Sequence, residues 1–356
     1  MNDDANKAQS NPGDPLIGGA GEIVPTANVT QETTGQPVSA RQGDAAARSR
    51  ISKKVIGRQR ELELILATVA MGRDVVLEGP PGTSKSTLLR AITSEWDIPL
   101  VFVEGNADLT PAKLVGHHNP SRVLQEDYSP DNFVDGPLIE AMRSGGFLFI
   151  EELNRAPEDT LNTLLTAMAE REIAVPRVGR VTARSTFRII ASMNPYDNVG
   201  TTRLSTSVHD RFCRLSVTYQ DETTEREIVG LRTHALTGRT PPEIAASIRA
   251  DAVALTRATR LHSEIRQGSS VRGAIDLALL ADELVWTRDI GESVHSMDSN
   301  FDLDRGLYTE AIFDAMEVAL SGRIHLEDTT YRTPESILRE IWENHFVLNP
   351  AAAKPG

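Results

Sequence analysis

Residues 79–86 read GPPGTSKS; they directly follow the apolar run Val75–Leu77 and directly precede a helical pattern at Thr87–Ile92. This order of strand, glycine-rich loop and helix start is typical of a phosphate-binding loop, because glycines leave room for converging backbone N–H donors at a helix N-terminus. We expect Lys85 to contact the β and γ phosphates and Ser86 to give Mg²⁺ a hydroxyl ligand. An ordinary strand-to-helix turn is the alternative, and it leaves the Lys-Ser pair unexplained.

The loop departs from the usual pattern at Ser84, where phosphate-binding loops commonly carry glycine before the lysine. Serine is small and caps helices well, so we expect it to be tolerated unless this position needs a positive φ. The residues predicted to bind the phosphates are Gly79, Pro80, Pro81, Gly82, Thr83, Ser84, Lys85, Ser86 and Thr87.

The chain has 356 residues, more than one hydrophobic core usually serves, which predicts two packed domains plus tails. Residues 1–50 are rich in Gly, Pro, Asn, Gln, Thr and Ala and contain no aromatic residue, so we expect a disordered N-terminal arm. This arm lacks the basic start and continuous apolar stretch of a signal peptide, and no run along the chain is long enough to span a bilayer. We therefore expect a soluble, cytoplasmic protein that has no membrane partner.

The chain is acidic, with 37 Lys and Arg against 50 Asp and Glu and a formal net charge of −13. Such a balance slows encounter with nucleic acid, and the basic cluster of Lys53, Lys54, Arg58 and Arg60 is too short to overcome it. A nucleic-acid partner is therefore disfavoured. Cys213 is the single cysteine, which excludes an internal disulfide and a cysteine-built zinc site, and we interpret it as a strand filler.

Short apolar runs alternate with helical patterns between residues 75 and 217. Continuous apolar runs are typical of strands buried on both faces, and repeated strand–helix units favour a parallel sheet covered by helices. We therefore predict an α/β fold with a parallel five-stranded sheet. The predicted strands are Val75–Leu77, Pro99–Val103, Phe147–Ile150, Phe187–Ser192 and Arg214–Val217, and the predicted helices are Ser84–Trp96, Pro137–Arg143 and Pro157–Arg171.

Polar residues follow two of these strands, at the edge where functional groups collect in parallel sheets. Glu151 and Glu152 end the run Phe147–Ile150, an arrangement that places one carboxylate near the Mg²⁺ shell and the next beside the attacking water. We predict Glu151 as a metal ligand and Glu152 as the water-activating base. Asn194 follows the next strand, where an amide polarises the same water or contacts the γ phosphate. The alternatives are surface charges for the glutamates and a turn cap for Asn194, which precedes Pro195.

These motifs together resemble the AAA+ ATPases, and within them the MoxR family, over about residues 54–324. The segment Leu153–Pro157, which reads LNRAP just after the carboxylates, is a particular mark of MoxR-like proteins. The resemblance implies an AAA+ P-loop core that binds ATP with Mg²⁺, followed by a small all-helical lid domain. It identifies Val55–Arg58 as the adenine side with Ile56 and Gly57 as binding residues, Gly79–Ser86 as Walker A, Phe147–Glu152 as Walker B and Met193–Pro195 as sensor 1.

Two segments resemble the hairpin insertions of this family, which face the ring's pore or a partner. Leu109–Gly136 interrupts the second helix with Gly, Pro, Asn and Asp, and Glu172–Arg184 alternates around a central glycine. His117 and His118 lie in the first insertion. Because adjacent side chains point apart in an extended chain, a solvated or partner-contacting pair is favoured over a metal site.

The resemblance also implies two arginines at the nucleotide site. Arg211 resembles the finger that reaches a neighbouring subunit's active site, where a guanidinium at the γ phosphate is worth roughly 10³–10⁵ in rate. Arg203 is a weaker candidate for the same role. Arg272 resembles sensor 2, which closes over the phosphates from its own chain. The alternative for each arginine is a charge on a helix surface.

From Asp221 onward helical patterns replace strands, which predicts a helical domain after the sheet. The pattern at Pro334–Phe346 is interpreted as an addition beyond the usual lid. The expected domains are a disordered arm (1–50), an AAA+ nucleotide-binding domain (51–220), a helical lid (221–330) and a C-terminal helix with its tail (331–356).

The resemblance implies a Mg²⁺-dependent ATPase that forms a homo-oligomeric ring, with six subunits expected, and that remodels or matures a client protein. MoxR-like proteins commonly work with a partner bearing a von Willebrand A domain, often to activate an enzyme or insert its metal. Glu151 stands where Asp is usual and is one methylene longer, so a nucleotide-gated scaffold with negligible turnover is an alternative. A DNA-dependent motor is a third function, which the acidic charge disfavours.

Overall fold

The structure, a computed structural model, describes residues 45–126, 128–195, 205–233, 240–288, 290 and 301–348. The first 44 residues of the predicted arm, Arg203 and the tail after Leu348 lie outside these ranges. Up to the end of the main sheet the elements are α1 (Ala45–Lys54), α2 (Gln59–Ala70), β1 (Asp74–Glu78), α3 (Lys85–Glu95), β2 (Leu100–Glu104), α4 (Pro111–Val115), β3 (Gly116–His118), α5 (Pro120–Glu126), β4 (Phe133–Asp135), α6 (Pro137–Ser144), β5 (Phe147–Glu151), α7 (Glu158–Glu170), β6 (Glu172–Val175), β7 (Gly179–Thr182), β8 (Arg188–Met193), α8 (Thr206–Arg211) and β9 (Phe212–Ser216). They are followed by α9 (Glu222–Thr233), α10 (Pro242–Thr259), β10 (Ile265–Gln267), α11 (Val271–Thr287), α12 (Phe301–Leu320), β11 (His325–Leu326), α13 (Pro334–Glu343) and a π-helical segment, Asn344–Leu348.

Five strands form one parallel sheet in the order β2-β5-β8-β1-β9, which confirms the α/β fold predicted from the apolar runs. Along β5 the buried side chains alternate between the two faces. Leu148 and Ile150 join a core with helices α6 and α7, whereas Phe147 and Phe149 pack with helices α2 and α3. Helices therefore cover both faces, as the continuous apolar pattern of the strand requires.

The carboxyl ends of these strands meet at one edge of the sheet because all of them run in the same direction. The register places Glu78 of β1 opposite Met193 of β8, and Glu104 of β2 opposite Glu151 of β5. The segments that follow β1, β5 and β8 therefore start side by side. Parallel sheets bind their ligands at this edge.

Both insertions contain antiparallel strand pairs: β6 and β7 form a hairpin, and β3 and β4 pair on either side of helix α5. The helix within the first insertion is a feature that its glycines and prolines do not predict. His117 is exposed, whereas the His118 ring lies 5.2 Å from the ring centroids of both Tyr128 and Phe133. Arg177 Cζ lies 4.6 Å from the Tyr128 ring centroid, so the two insertions contact each other.

Helices α9 to α13 and the short ribbon β10–β11 form the helical part of the chain, whose buried side chains make a separate core. Helix α13 belongs to that core. Ile337 and Leu338 are fully buried, and Trp342 Nε1 donates a hydrogen bond to the Thr309 carbonyl at 2.8 Å. The sequence predicts this helix as an addition beyond the usual lid; in the structure its apolar face joins the core formed by helices α9 to α12.

Helix α1 begins at Ala45, within the region predicted as a disordered arm. Ala47 and Ile51 are buried in the core that α2 and α3 form with the sheet, which explains why this part of the chain is ordered. The short basic cluster is also partly interior, because Arg58 is only 3% exposed and its Nη1 lies 2.7 Å from Glu61 Oε1.

Cys213 lies on β9, as the strand-filler interpretation predicts, and its side chain is exposed. Strand β9 is at the edge of the sheet and pairs with β1; Cys213, Arg214 and Ser216 on it are exposed, whereas Phe212 and Leu215 are buried. Within the described ranges, the helices lack the combination of length and apolar composition that crossing a membrane requires.

We expect Leu338→Ala to lower the free energy of unfolding by about 2–5 kcal/mol, because it removes buried methyl groups and leaves a cavity in the helical core. The matched control is Leu261→Ala, where the leucine is 86% exposed and the expected change is below about 0.5 kcal/mol. Urea unfolding followed by circular dichroism measures both variants. Equal effects would show that α13 does not stabilise this core.

Candidate nucleotide-binding site

A cavity of about 450 Å³ opens at the carboxyl edge of the sheet. It joins the loop after β1, the ends of β5 and β8, and residues of the helical part of the chain. It gathers the sequence-predicted residues Pro81, Gly82, Thr83, Ser84, Lys85, Ser86, Thr87, Glu151, Glu152, Asn194 and Arg272, and it is also lined by Arg155, Ser192, Met193, Arg266, Gln267 and His325.

The glycine-rich loop passes too close to its neighbours for side chains at two positions. An ideal Cβ on Gly79 would lie 1.9 Å from the Val217 carbonyl oxygen, and one on Gly82 would lie 2.3 Å from Ser270 Oγ. Gly82 also has a φ of +73°, a conformation that glycine adopts without a steric penalty. The loop is therefore held between the chain after β9 on one side and the N-terminus of α11 on the other.

Ser84 adopts a left-handed conformation at the start of α3, with a φ of 64° and a ψ of 21°. The sequence predicts that serine fits here unless the position needs a positive φ. The structure shows that this position does have a positive φ. A side chain in this region costs roughly 1–2 kcal/mol. The Ser84 hydroxyl makes no capping hydrogen bond within the described part of helix α3 that would offset this cost.

Lys85 folds back on the loop, where its Nζ donates to the carbonyl oxygens of Gly79 at 2.8 Å and Pro80 at 2.9 Å. Burial lowers the pKa of Lys85 from 10.5 to about 8, and the negative charge of Glu151 only partly opposes this. The ammonium group has therefore lost hydration without gaining a full counter-charge. A polyphosphate would supply that charge through short, charge-assisted hydrogen bonds.

Ser86 Oγ donates to Glu151 Oε1 at 2.5 Å, so the predicted metal ligands lie together. Mg²⁺ prefers hard oxygen ligands and is usually held by one or two carboxylates together with phosphates and water. The hydroxyl and carboxylate fit that donor set, and the extra methylene of Glu151 does not keep it from Ser86. In the described ranges no group of three or more His, Cys, Asp or Glu residues forms a metal site by itself.

Glu152 follows β5 in a left-handed conformation, with a φ of 55° and a ψ of 47°. Its carbonyl accepts a hydrogen bond from the Arg155 amide at 2.9 Å, and an ideal Cβ on Gly105 would lie 2.3 Å from that carbonyl oxygen. Glu152 Oε2 lies 3.1 Å from Arg155 Nε, with both side chains 41% exposed, so this ion pair adds little stability. Strained residues of this kind cluster at functional sites.

Asn194 lies just beyond β8 and lines the same cavity as the two glutamates. Its carbonyl accepts a hydrogen bond from Asn154 Nδ2 at 3.4 Å. Asn154 is buried in the turn after β5, so this contact links the ends of two neighbouring strands.

The helical part of the chain contributes more to the cavity than Arg272 alone. Arg266 and Gln267 lie on β10, and His325 lies opposite Gln267 on β11. Sequence reasoning missed these three residues because strands of three and two residues are too short to show a pattern. It also missed Arg155, although its position three residues after Glu152 could have indicated that it lies near the carboxylates.

Some predicted site residues lie outside the cavity lining. Ile56 and Gly57 lie in the turn before α2, where an ideal Cβ on Gly57 would lie 2.4 Å from Thr224 Cγ2 of helix α9. Gly79 and Pro80 begin the loop without lining the cavity, although both accept a hydrogen bond from Lys85. Arg211 is exposed at the end of α8, and its Nη1 donates to the Ser207 carbonyl at 3.2 Å.

Comparison with known proteins relates the chain to ATPases that carry an AAA domain. Residues 74–212 match the family model described as AAA domain (dynein-related subfamily). The gas vesicle ATPase GvpN of Haloferax mediterranei is 28% identical over 273 residues, which cover 72% of this chain and 71% of GvpN. The uncharacterized protein YojN of Bacillus subtilis is 34% identical over 43% of this chain, and the match spans only 50% of YojN. A RuvB variant structure from Thermotoga maritima aligns with a TM-score of 0.45 and 16% identity, over 75% of this chain and 70% of that chain.

The parallel sheet, the glycine-rich loop and the paired carboxylates define a P-loop nucleoside triphosphatase. The matched AAA domain and the similarity to GvpN indicate which group of P-loop nucleoside triphosphatases the chain resembles. Residues 74–212 therefore match an AAA domain, and the chain is similar to the ATPase GvpN, which supports the AAA+ resemblance predicted from its motifs.

The lowered pKa of Lys85 predicts that ATP binding takes up a proton in alkaline solution. Below about pH 8 the Lys85 amine is charged with or without nucleotide, so the affinity for ATP does not change with pH. Above about pH 8 the amine of the free protein loses its proton, whereas the amine in the ATP complex keeps it because the phosphates raise its pKa. We expect the affinity to fall about tenfold per pH unit above this point. Calorimetry in two buffers with different ionisation enthalpies measures the proton uptake. An affinity that stays flat up to about pH 9.5 would contradict the assignment.

The strain at Ser84 predicts that Ser84→Gly raises the free energy of unfolding by about 0.5–1 kcal/mol. Relief of roughly 1–2 kcal/mol of left-handed strain outweighs the entropy that glycine adds to the unfolded chain. Ser84→Ala is the matched control, since it removes the hydroxyl and keeps the Cβ, and it should leave stability nearly unchanged. Thermal unfolding measures all three proteins; a gain in the alanine variant would attribute the effect to the hydroxyl instead.

Proposed function

We propose that the protein is a ring-forming AAA+ ATPase of the MoxR type that couples ATP hydrolysis to remodelling or maturation of a client protein. The convergence of Lys85, Glu152, Asn194 and Arg272 in one cavity carries this proposal, because these residues come from both parts of the chain. Contacts to the γ phosphate would hold the two parts together, and hydrolysis would release them. A nucleotide-dependent change of this kind can act on another protein.

Nucleotide binding would begin at the phosphate loop. Lys85 would exchange its bonds to loop carbonyls for bonds to the β and γ phosphates, which are stronger because both partners are charged. Ser86 and Glu151 would hold Mg²⁺, which when bound neutralises part of the phosphate charge. The adenine base would lie beside Ile56 and Gly57, where the turn before α2 meets helix α9.

Hydrolysis would use the strand ends. Glu152 would accept a proton from the attacking water, a role for which its carboxylate must leave the half-exposed contact with Arg155. Asn194 would orient the same water or contact the γ phosphate. Arg272 would bind that phosphate from the N-terminus of α11, so loss of the phosphate would free the helical domain.

The position of Arg211 supports a ring. This arginine is exposed and lies outside the cavity lining of its own chain, as a residue acting on a neighbour must. A guanidinium supplied in this way can be worth roughly 10³–10⁵ in rate, so hydrolysis would depend on assembly. Six subunits per ring is the number that the MoxR resemblance implies.

The client side of the proposal rests on the MoxR resemblance. We place the protein in the cytoplasm, where ATP is available, with a protein bearing a von Willebrand A domain as its partner. Metal or cofactor insertion into an enzyme is the kind of maturation it would drive. The net charge of −13 supports a protein client over a nucleic acid.

Mixed rings test the catalytic assignments. Arg211→Ala subunits keep a complete phosphate site but cannot serve a neighbour, whereas Glu152→Gln subunits cannot hydrolyse ATP but still offer their arginine. We expect each variant alone to lose at least about 10³-fold in ATP turnover, and the mixture to recover part of the parent rate at interfaces that combine the two intact halves. Phosphate release measures the rates, and mass measurement establishes that the variants co-assemble.

The matched control is a mixture of Glu152→Gln and Lys85→Ala subunits. Both defects lie in the phosphate site of the subunit that carries them, so no interface regains a complete site and the mixture should stay inactive. If co-assembled Arg211→Ala and Glu152→Gln subunits are no faster than this control, Arg211 does not act on a neighbour. A parent protein that binds ATP without releasing phosphate would identify the nucleotide-gated scaffold instead.

A further inference from the structure

Gln220 presents a buried polar group that has no partner among the described residues. The residue is only 6% exposed, yet neither Oε1 nor Nε2 has a hydrogen-bond partner among the described residues. Leaving a buried donor or acceptor unpaired costs about 1–3 kcal/mol. A native protein seldom keeps such a group without a ligand, an ordered water or a functional reason.

The place of Gln220 in the fold points to the nucleotide. At one end of the stretch 217–220, the Val217 amide donates to the Glu78 carbonyl at 2.7 Å and the Val217 carbonyl abuts Gly79. At the other end, Gln220 Cγ lies 3.4 Å from the ideal Cβ position of Gly57. Three residues of chain span at most about 10 Å, so this stretch bridges the phosphate loop and the Gly57 turn directly.

The backbone on both sides of Gln220 is fixed, although its side chain is unpaired. Arg257 Nη1 donates to the Gln220 carbonyl at 3.1 Å and also lies 3.1 Å from Glu225 Oε2, a carboxylate that is 1% exposed. Arg58 Nη2 donates to the Thr218 carbonyl at 2.7 Å. A rigid backbone that carries a free amide is preorganised for a ligand, because little further ordering is needed on binding.

We propose that the Gln220 amide reads the 6-amino group of adenine. The inference rests on the proposed function, which puts the base beside Ile56 and Gly57. Adenine offers an amino donor next to a ring-nitrogen acceptor, and a glutamine amide offers the complementary acceptor and donor. Oε1 accepts from the 6-amino group and Nε2 donates to the adjacent ring nitrogen, which satisfies both unpaired atoms at once.

The test compares three ligands that differ in whether they carry the 6-amino group and the purine base. ATP, purine riboside triphosphate, which lacks the 6-amino group, and tripolyphosphate, which lacks the base, are titrated into the parent protein and Gln220→Met by calorimetry. We expect the parent to bind ATP about tenfold more tightly than purine riboside triphosphate. Gln220→Met keeps the length of the side chain without its amide, so it should bind these two ligands equally and bind tripolyphosphate as the parent does.

The outcomes separate this inference from the proposed function. If the parent binds ATP and purine riboside triphosphate equally, or if Gln220→Met keeps the parent's preference, Gln220 does not read the amino group while the ATPase assignment stands. If Gln220→Met loses tripolyphosphate as well, the effect is a distortion of the phosphate loop and the inference is wrong. Lys85→Ala is the second control, and it should lose both ATP and tripolyphosphate. A parent protein that binds neither ligand would overturn the proposed function itself.

Discussion

The close packing of the glycine-rich loop is the constraint on which the site depends. Gly79 leaves no room for a Cβ against the Val217 carbonyl, and Gly82 leaves none against Ser270 Oγ. Ser270 also accepts a hydrogen bond from the Arg272 amide as the cap of α11. The residue that touches the loop therefore also starts the helix that carries Arg272, so the loop cannot shift without disturbing the helical domain.

Strain and desolvation both occur at the cavity, while the supporting sheet is regular. Ser84 and Glu152 line it in left-handed conformations, and Lys85 is half-buried without a full counter-charge. Each of these features costs stability, and such costs persist only where the surrounding packing over-determines the structure. The two-sided core around β5 supplies that packing, with Leu148 and Phe149 fully buried on opposite faces.

Most of the sheet and the phosphate side of the site could be predicted, because local sequence encodes them. A strand covered on both faces must be apolar throughout, and a carboxylate that follows it must lie at the ligand edge, which is why Glu151 was predictable. The positive φ of Ser84 depends on the path of the loop between two distant segments. The residue type at position 84 does not encode that path. The ribbon residue Arg266 and the burial of Gln220 likewise follow from tertiary contacts. The helical periodicity of α13 predicts an apolar face, but not the core that the face joins.

Charged side chains connect Gln220 with the start of α11 through the helical part of the chain. Arg257 contacts both the Gln220 carbonyl and Glu225, and the same carboxylate lies 2.7 Å from Arg260 Nη1. Arg260 Nε in turn donates to the Ser269 carbonyl at 2.6 Å, next to the cap of α11. Buried ion pairs of this kind add little net stability. Breaking one leaves a buried charge without a partner, which is costly, so their geometry resists change. A displacement at Gln220 would therefore disturb these contacts as far as Ser269, beside the start of α11. In the function proposed above, they would let one bound ligand bias the position of the helical part of the chain.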